Sequence, residues 1–333
     1  MIGTACGQLF VVTNDSSGLH NCGILKYDFD GNQVNSIPLP NNDARGLAVS
    51  GTNLFLICGN LGTIAKYSTS GATINPALIS GLTTPSALHI SGSNLFVASR
   101  DYIGKYTTDG AVVNATLIAN PAAGYGVGSY GLVIIGTNLY ATYPDGRIAN
   151  YTTDGAIVNE TLVSGLSQPT GLATDGTNLF VANWNLGVQP GWVGKYTTSG
   201  SPIAIQLISG LNGGAVDLAI NGTNLYVVYG GRAIIGKYNT LGVAENATML
   251  TGGHYFTGIA ALSPNNQPLP PPAIGITIYS NLPAVIWPSS GGNYMLETTT
   301  NLASGNWVTV SNYIPITGAL ITNASSPAFF RLR

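Results

Sequence analysis

Few side chains in this sequence could do chemistry, and their scarcity is informative. It has three glutamates, Glu160, Glu245 and Glu297, and three histidines, His20, His89 and His254. A hard cation such as calcium demands six or more oxygen ligands, several of them carboxylates. None of the glutamates falls in a loop that could gather with others. The histidines show no Ser-His-Asp or metal-ligand spacing along the chain, and His89, inside an apolar strand pattern, reads as a hydrogen-bonded core histidine. Asp28-Phe29-Asp30-Gly31-Asn32 superficially resembles a calcium loop, but its repeat equivalents lack the paired acids. The glycine-rich run Gly124 to Gly131 opens a strand rather than a helix, so it offers phosphate no helix N-terminus. The expectation is no catalytic residue, no metal and no cofactor.

What the sequence does concentrate is recognition chemistry. Arg45, Arg100, Arg232 and His254, together with the aromatics Tyr125, Tyr143, Trp184, Trp192, Tyr229 and Tyr255, all fall in or beside connections of one type. Asp43, Asp101, Asp145 and Arg147 join them. Large rigid side chains supply contact area and a few charges supply orientation, so these ten residues form the expected face for a glycan or protein ligand. Tyrosines on Gly-rich loops also pack on their neighbours, and both alternatives stand at this stage.

The elements that must position these residues come from a repeat. Leu-aromatic pairs begin at Leu9, Leu54, Leu95, Leu139, Leu179 and Leu225, separated by 45, 41, 44, 40 and 46 residues. Such periods mark propellers, solenoids or arrays. After each pair comes a second strand ending in Tyr27, Tyr67, Tyr106, Tyr151, Tyr196 or Tyr238, then a turn closed by Gly31, Gly71, Gly110, Gly155, Gly200 or Gly242. A small-residue strand precedes each pair except the first, and a last such strand, Thr257 to Ala261, has no pair after it. Joined, the two orphans complete a sixth unit. The predicted fold is all-β, a six-bladed propeller over residues 1–263 closed by pairing of its N- and C-terminal strands, a closure expected to leave no edge strand.

The run Pro-x-Gly-Leu-Ala, Gly-x-Asn-Leu-Phe-Val-Ala, Gly-Lys-Tyr-x-x-x-Gly, fullest from Pro169 to Gly200, resembles an NHL-type propeller repeat. That resemblance implies the fold but not a function, because such repeats serve scaffolds, receptors and some enzymes. Propeller lactonases and related hydrolases hold a divalent ion over the central hole with several acids, which this chain has difficulty supplying. A Pro-rich linker, 264–273, leads to residues 274–333, where six strand-like runs include Val-Ile-Trp, Tyr-Met-Leu-Glu-Thr-Thr-Thr-Asn-Leu and a terminal Phe-Phe-Arg-Leu-Arg. This segment resembles the C-terminal β-sandwich modules of secreted proteins from Verrucomicrobia-like bacteria, and a fibronectin type III domain that stops one strand early. Lacking its final strand, it is expected to expose backbone groups to another copy through Phe329, Phe330, Arg331 and Leu332.

Composition bounds the remaining partners. Charged residues make up 7% of the 333, with a net charge of −2, against roughly 25% in an average domain. No basic cluster suits nucleic acid, and no apolar run approaches the roughly 18 residues of a membrane helix. The Asn-, Thr-, Ser- and Gly-rich texture fits an extracellular or cell-surface protein. No signal-peptide pattern precedes the first strand, so that location expects a mature or trimmed form. Of Cys6, Cys22 and Cys58, any disulfide is expected between Cys22 and Cys58, while three isolated apolar cysteines are an equal alternative. Asn114, Asn159 and Asn246 each begin an Asn-x-Thr triplet at equivalent repeat positions. The leading expectation is a non-catalytic structural or adhesion protein that forms homo-oligomers or polymers. The competing class is a monomeric propeller that binds a glycan or small ligand on its loop-rich face, or acts there as a lactonase- or lyase-like enzyme.

Overall fold

The computed structural model describes residues 7–15, 22–39, 44–119, 131–184, 190–229, 234–252 and 254–262, plus seven short strands between residues 275 and 332. Two compact units emerge, Met1–Pro264 and Asn265–Arg333. The linker lies outside the described residues.

The first unit is a ring of six four-stranded antiparallel sheets. Its inner strands are His254–Leu262, Ala44–Ser50, Ala87–Ser91, Gly131–Ile135, Pro169–Thr174 and Ala215–Asn221, for blades 1 to 6. Blade 1 is the composite one. Its inner strand comes from the end of the repeat region and pairs with Gln8–Asp15 from the beginning, Gln8 opposite Leu262 and Val11 opposite Ile259, with a bulge between Val12 and Thr13.

The Leu-aromatic pair sits on the second strand of every blade, and the structure shows why both residues recur. Successive side chains on a strand point to opposite faces, and here each face meets a different blade. Phe10 packs with Leu54, Phe55 with Leu95, Phe96 with Leu139, Tyr140 with Leu179, Phe180 with Leu225, and Tyr226 closes the circle on Leu9. The leucine faces the preceding blade and the aromatic the following one. Second strands are therefore buried on both faces, which accounts for their unbroken apolar runs. Each such side chain contributes about 2–3 kcal/mol by burial.

The lysines form a second, peripheral seam. On the third strands, Lys26, Lys66, Lys105 and Lys195 lie over the rings of Phe10, Phe55, Phe96 and Phe180 at 4.9–5.6 Å. Their Nζ atoms donate to Thr69, Thr108, Thr153 and Thr240 carbonyls in the next blade's turn. Blade 4 has Asn150 in place of lysine, and there the Tyr140 hydroxyl donates to Thr198 O, the equivalent carbonyl, at 3.4 Å. Blade 6 also carries tyrosine, and Tyr226 donates to Phe29 O. Lys237 is thereby released to pair with Glu245 and Asp30 at 3.3 and 3.8 Å.

Turn chemistry is repeated as well. The last residue of each third strand, Asp28, Ser68, Thr107, Thr152, Thr197 or Asn239, accepts the N–H four residues on. Asp28 thus spends its carboxylate on Asp30 N, Asn32 N and Asn32 Nδ2, and the Asn32 side chain foremost holds its pKa below the ordinary range. The turn glycine that follows adopts φ near +90°, and a Cβ on Gly110 would lie 2.6 Å from Leu78 O of the neighbouring blade. Only glycine satisfies both demands.

Two expectations are corrected. Ring closure does not remove edges, because the outermost strand of every blade is one. Each carries a register shift against its third strand instead, and such bulges blunt edge pairing. In blades 2, 3, 4 and 6 the bulge is held by Asn75, Asn114, Asn159 or Asn246 accepting the N–H two residues on. The three Asn-x-Thr triplets are thus instances of a repeated bulge that Asn75 makes without a triplet. Cys22 and Cys58 are both buried in the apolar cluster between blades 1 and 2 and are not bonded to each other, and Cys6 lies outside the described residues. Among the described residues of the C-terminal unit are seven strands in two sheets, one more than the six runs, and Phe329–Leu332 is itself a strand paired with Leu296–Thr299.

Candidate recognition face

Connections from second to third strands, and from each outer strand to the next inner strand, emerge on one end of the ring. That end is the expected binding face, and the structure divides its ten residues. Arg45 sits partly buried at the start of the blade 2 inner strand, and Arg100 is exposed on a turn whose backbone N–H donates to Thr83 O. Trp184 and Trp192 flank the blade 5 connection, both partly exposed. These four are on the face. His254 and Tyr255 occupy the blade 1 inner strand opposite Asp15 and Asn14, their side chains outside the described residues, as are Tyr125 and Arg232 entirely.

Tyr143 and Tyr229 are a correction. Tyr143 is 0% exposed, its hydroxyl shares a 3.1 Å hydrogen bond with Tyr151, and the Arg147 guanidinium lies 4.3 Å from its ring centroid. Burial foremost drives its phenol pKa far upward. Arg147 is itself held by Asp145 at 2.7 Å and by Glu160 O at 2.6 Å. Tyr229 is buried and donates to Ala247 O at 2.6 Å. Both tyrosines end a second strand, and alternation from the anchor leucine turns them inward: Leu139, Ala141 and Tyr143 share one cluster, and Leu225, Val227 and Tyr229 another. Counting by twos from the anchor would have found this.

Around Trp184 and Trp192 the backbone is crowded. A Cβ on Gly214 would lie 2.6 Å from Trp184 O, and one on Gly191 would lie 2.6 Å from Asn183 O. Asn183, fully buried, accepts from Ser167 N and donates to Val181 O. The Trp192 Nε1 is buried with no acceptor among the described residues, an arrangement that costs about 1–3 kcal/mol unless something satisfies it.

The axis holds polar groups, of which the sequence singled out only His89. Thr142 Oγ1 donates to Thr170 O, Thr170 Oγ1 to Ala215 O and Thr257 Oγ1 to Ala44 O, at 2.7–3.0 Å, each crossing to the next blade. Asp217 accepts Ile259 N at 3.0 Å across the blade 6–blade 1 boundary. His89 bonds the Leu132 backbone across the blade 3–blade 4 boundary. Crowding pushes its pKa down to about 4 although it keeps some solvent-exposed area. These groups bind backbone rather than one another. Among the described residues, no three His, Cys, Asp or Glu side chains converge as a metal ion would require, and no helix is long and apolar enough to cross a membrane.

No family model and no curated protein matches this chain. Solved structures do. The nidogen/laminin complex contains a chain with TM-score 0.60 at 18% identity, covering 78% of this chain and 98% of its own. A calcium-binding regucalcin from Agrobacterium tumefaciens gives 0.54 at 17%, covering 74% and 83%. A virginiamycin B lyase from Staphylococcus aureus gives 0.53 at 17%, covering 76% and 87%. At these identities the likeness is one of fold, and it spans enzymes and non-enzymes: the chain contains a six-bladed β-propeller resembling those of nidogen, regucalcin and virginiamycin B lyase.

Proposed function

We propose that this is a non-catalytic structural or adhesion protein of the cell exterior or surface, whose copies assemble head-to-tail through the C-terminal unit. In this reading that unit is a small fibronectin type III-like sandwich and the propeller an NHL-type scaffold. The observation that carries it is the position of Phe329–Leu332, which among the described residues closes the order of its sheet and is paired on one side only. Such an edge is a template for strand addition by another chain. The acids support the same reading by what they do: Asp28 and Asp175 hold turns, Asp145 holds Arg147, and Asp109 and Asp154 meet lysines of the preceding blade. Little charge remains to repel a neighbouring copy. No nucleic acid, membrane insertion or cofactor enters this function. Sedimentation velocity and electron microscopy of the full chain over a concentration series test it. Concentration-dependent polymers that vanish on deletion of residues 329–333 are the expected result, and a monomer at every concentration would refute it.

A second reading, a glycan site on the loop-bearing face, is favoured by the Trp192 indole N–H, which has no acceptor among the described residues. Its test is tryptophan fluorescence against a glycan panel, with Trp192→Phe abolishing the response.

A further inference from the structure

The outer rim repeats with little change, so a departure from it is informative. The residue before the turn glycine is polar in five blades, Asp30, Ser70, Asp109, Asp154 or Ser199, and in blade 6 it is Leu241. The residue after that glycine is Asn, Ala or Ser in five blades and Val243 in blade 6. On the outer strands an asparagine stands at the bulge in five blades, Asn35, Asn75, Asn114, Asn159 or Asn246, and blade 5 has Ala204. Next to it comes Ser36, Pro76, Ala115, Glu160 or Ala247, and in blade 5 Ile205.

All four departures fall at one seam. The turn of each blade rests on the outer strand of the blade before it, and between blades 5 and 6 a Cβ on Gly242 would lie 2.4 Å from Leu207 O. Leu241 and Val243 flank that glycine, and Ile205 lies two residues before Leu207. Leu241 is 75% exposed, the highest value among the described large apolar residues, and Val243, Ile205 and Ile203 are each more than half exposed. At other seams Asp109 and Asp154 pair with Lys66 and Lys105, whereas Leu241 offers Lys195 no carboxylate. The strand Pro202–Leu211 and the turn from Asn239 to Val243 contain no ionisable side chain. A bulge guards the backbone of such an edge, but it leaves these aliphatic side chains facing water. Gathered on one rim segment, they form a contact surface rather than scattered exposure.

We propose that this seam is a two-fold contact between two copies of the chain, the Leu241 to Val243 turn of each resting on Ile203 and Ile205 of the other. The patch has two unlike halves, a turn and a strand from different blades, and a two-fold rotation sets each against its complement. It is neutral, so identical surfaces meet without repulsion, while a charged partner finds nothing to pair with. The strand and turn hold no aromatic ring on which a sugar could stack and no Lys or Arg for an anionic bilayer. Such a contact is isologous and closes at two copies. It goes beyond the head-to-tail assembly, needs nothing from the C-terminal unit, and would join two such arrays side by side.

The experiment uses the full chain, with sedimentation velocity over a concentration series to follow the dimer. Leu241→Asp and Ile205→Glu each install a residue that another blade carries at the same position, Asp109 or Glu160, so the fold should tolerate both. Each places a charge inside the contact and is expected to raise the dimer Kd by about tenfold or more. Thermal melting confirms that the variants remain folded. Hydrogen exchange on the unmodified chain gives a readout independent of substitution: amides of residues 203–207 and 241–243 gain protection as the dimer forms, and their equivalents at other seams do not. A chain that stays monomeric at every concentration overturns the proposal, as does a dimer indifferent to both substitutions or protected at another seam. Recruitment to phosphatidylcholine vesicles without self-association would assign the patch to a lipid surface and also overturn it. The two assemblies fail separately. Dimers that depend on Leu241 without any polymer refute the head-to-tail reading alone, and polymers with no Leu241-dependent pairing refute this contact alone.

Discussion

The blades are joined twice, at the axis and at the periphery, and the two seams follow different rules. At the periphery a single solution recurs: a donor reaches the turn carbonyl of the next blade, from lysine where the anchor aromatic is phenylalanine and from the tyrosine hydroxyl where it is Tyr140 or Tyr226. At the axis the seams do not share one residue type. Threonines serve three boundaries, Asp217 a fourth and His89 a fifth. The periphery is close to solvent, so an exchange of donors costs little and the repeat tolerates it. Near the axis strands crowd, and each boundary has settled on whichever polar group fits.

The comparison makes graded demands. Its largest expected effect is at His89. The ring is held neutral with a pKa of about 4, below its unfolded value near 6.5. The unfolded chain therefore binds the extra proton first, and stability complete above pH 6.5 declines as pH falls toward 4, by at most about 3 kcal/mol. Denaturant titrations across that window should show the loss, and His89→Gln should flatten it. Next is Asp217→Ala, which strands the Ile259 N–H near the axis and should cost about 2 kcal/mol. At the periphery Tyr140→Phe should cost only about 0.5–1 kcal/mol, measured by the same titration. Adding Asn150→Lys should restore most of it by converting blade 4 to the lysine form. Smallest is Asp154→Ala: its carboxylate is 88% exposed and 3.2 Å from Lys105, an ion pair worth at most about 0.5 kcal/mol. An Asp154 effect larger than that of Asp217 would invert the proposed ranking of the seams.

Much of this organisation was legible from repetition. The spacing of Leu9, Leu54 and their successors predicts the blades, and the two unmatched strands predict how the ring closes. Such features recur, so each copy corroborates the others. Tyr143 and Tyr229 were misplaced because proximity to a loop was read as exposure, although alternation from Leu139 and Leu225 points them inward. The axis was illegible for a different reason. Thr170 and Thr257 hold one repeat position but Thr142 and Asp217 hold others, and hydrogen bonds to a neighbouring blade's backbone leave no pattern along the chain. Nor could the lysine ladder's partners be read, since a backbone carbonyl has no residue signature.

The anchor pair has a last consequence. Because its leucine looks back and its aromatic looks forward, every apolar cluster has two owners and no blade has a core of its own. The ring is therefore a polar chain of repeats bitten shut on its own tail, and its strength is a property of the circle. Breaking any one boundary exposes apolar surface on both neighbours, so deep amides in all six blades should open with nearly one common free energy.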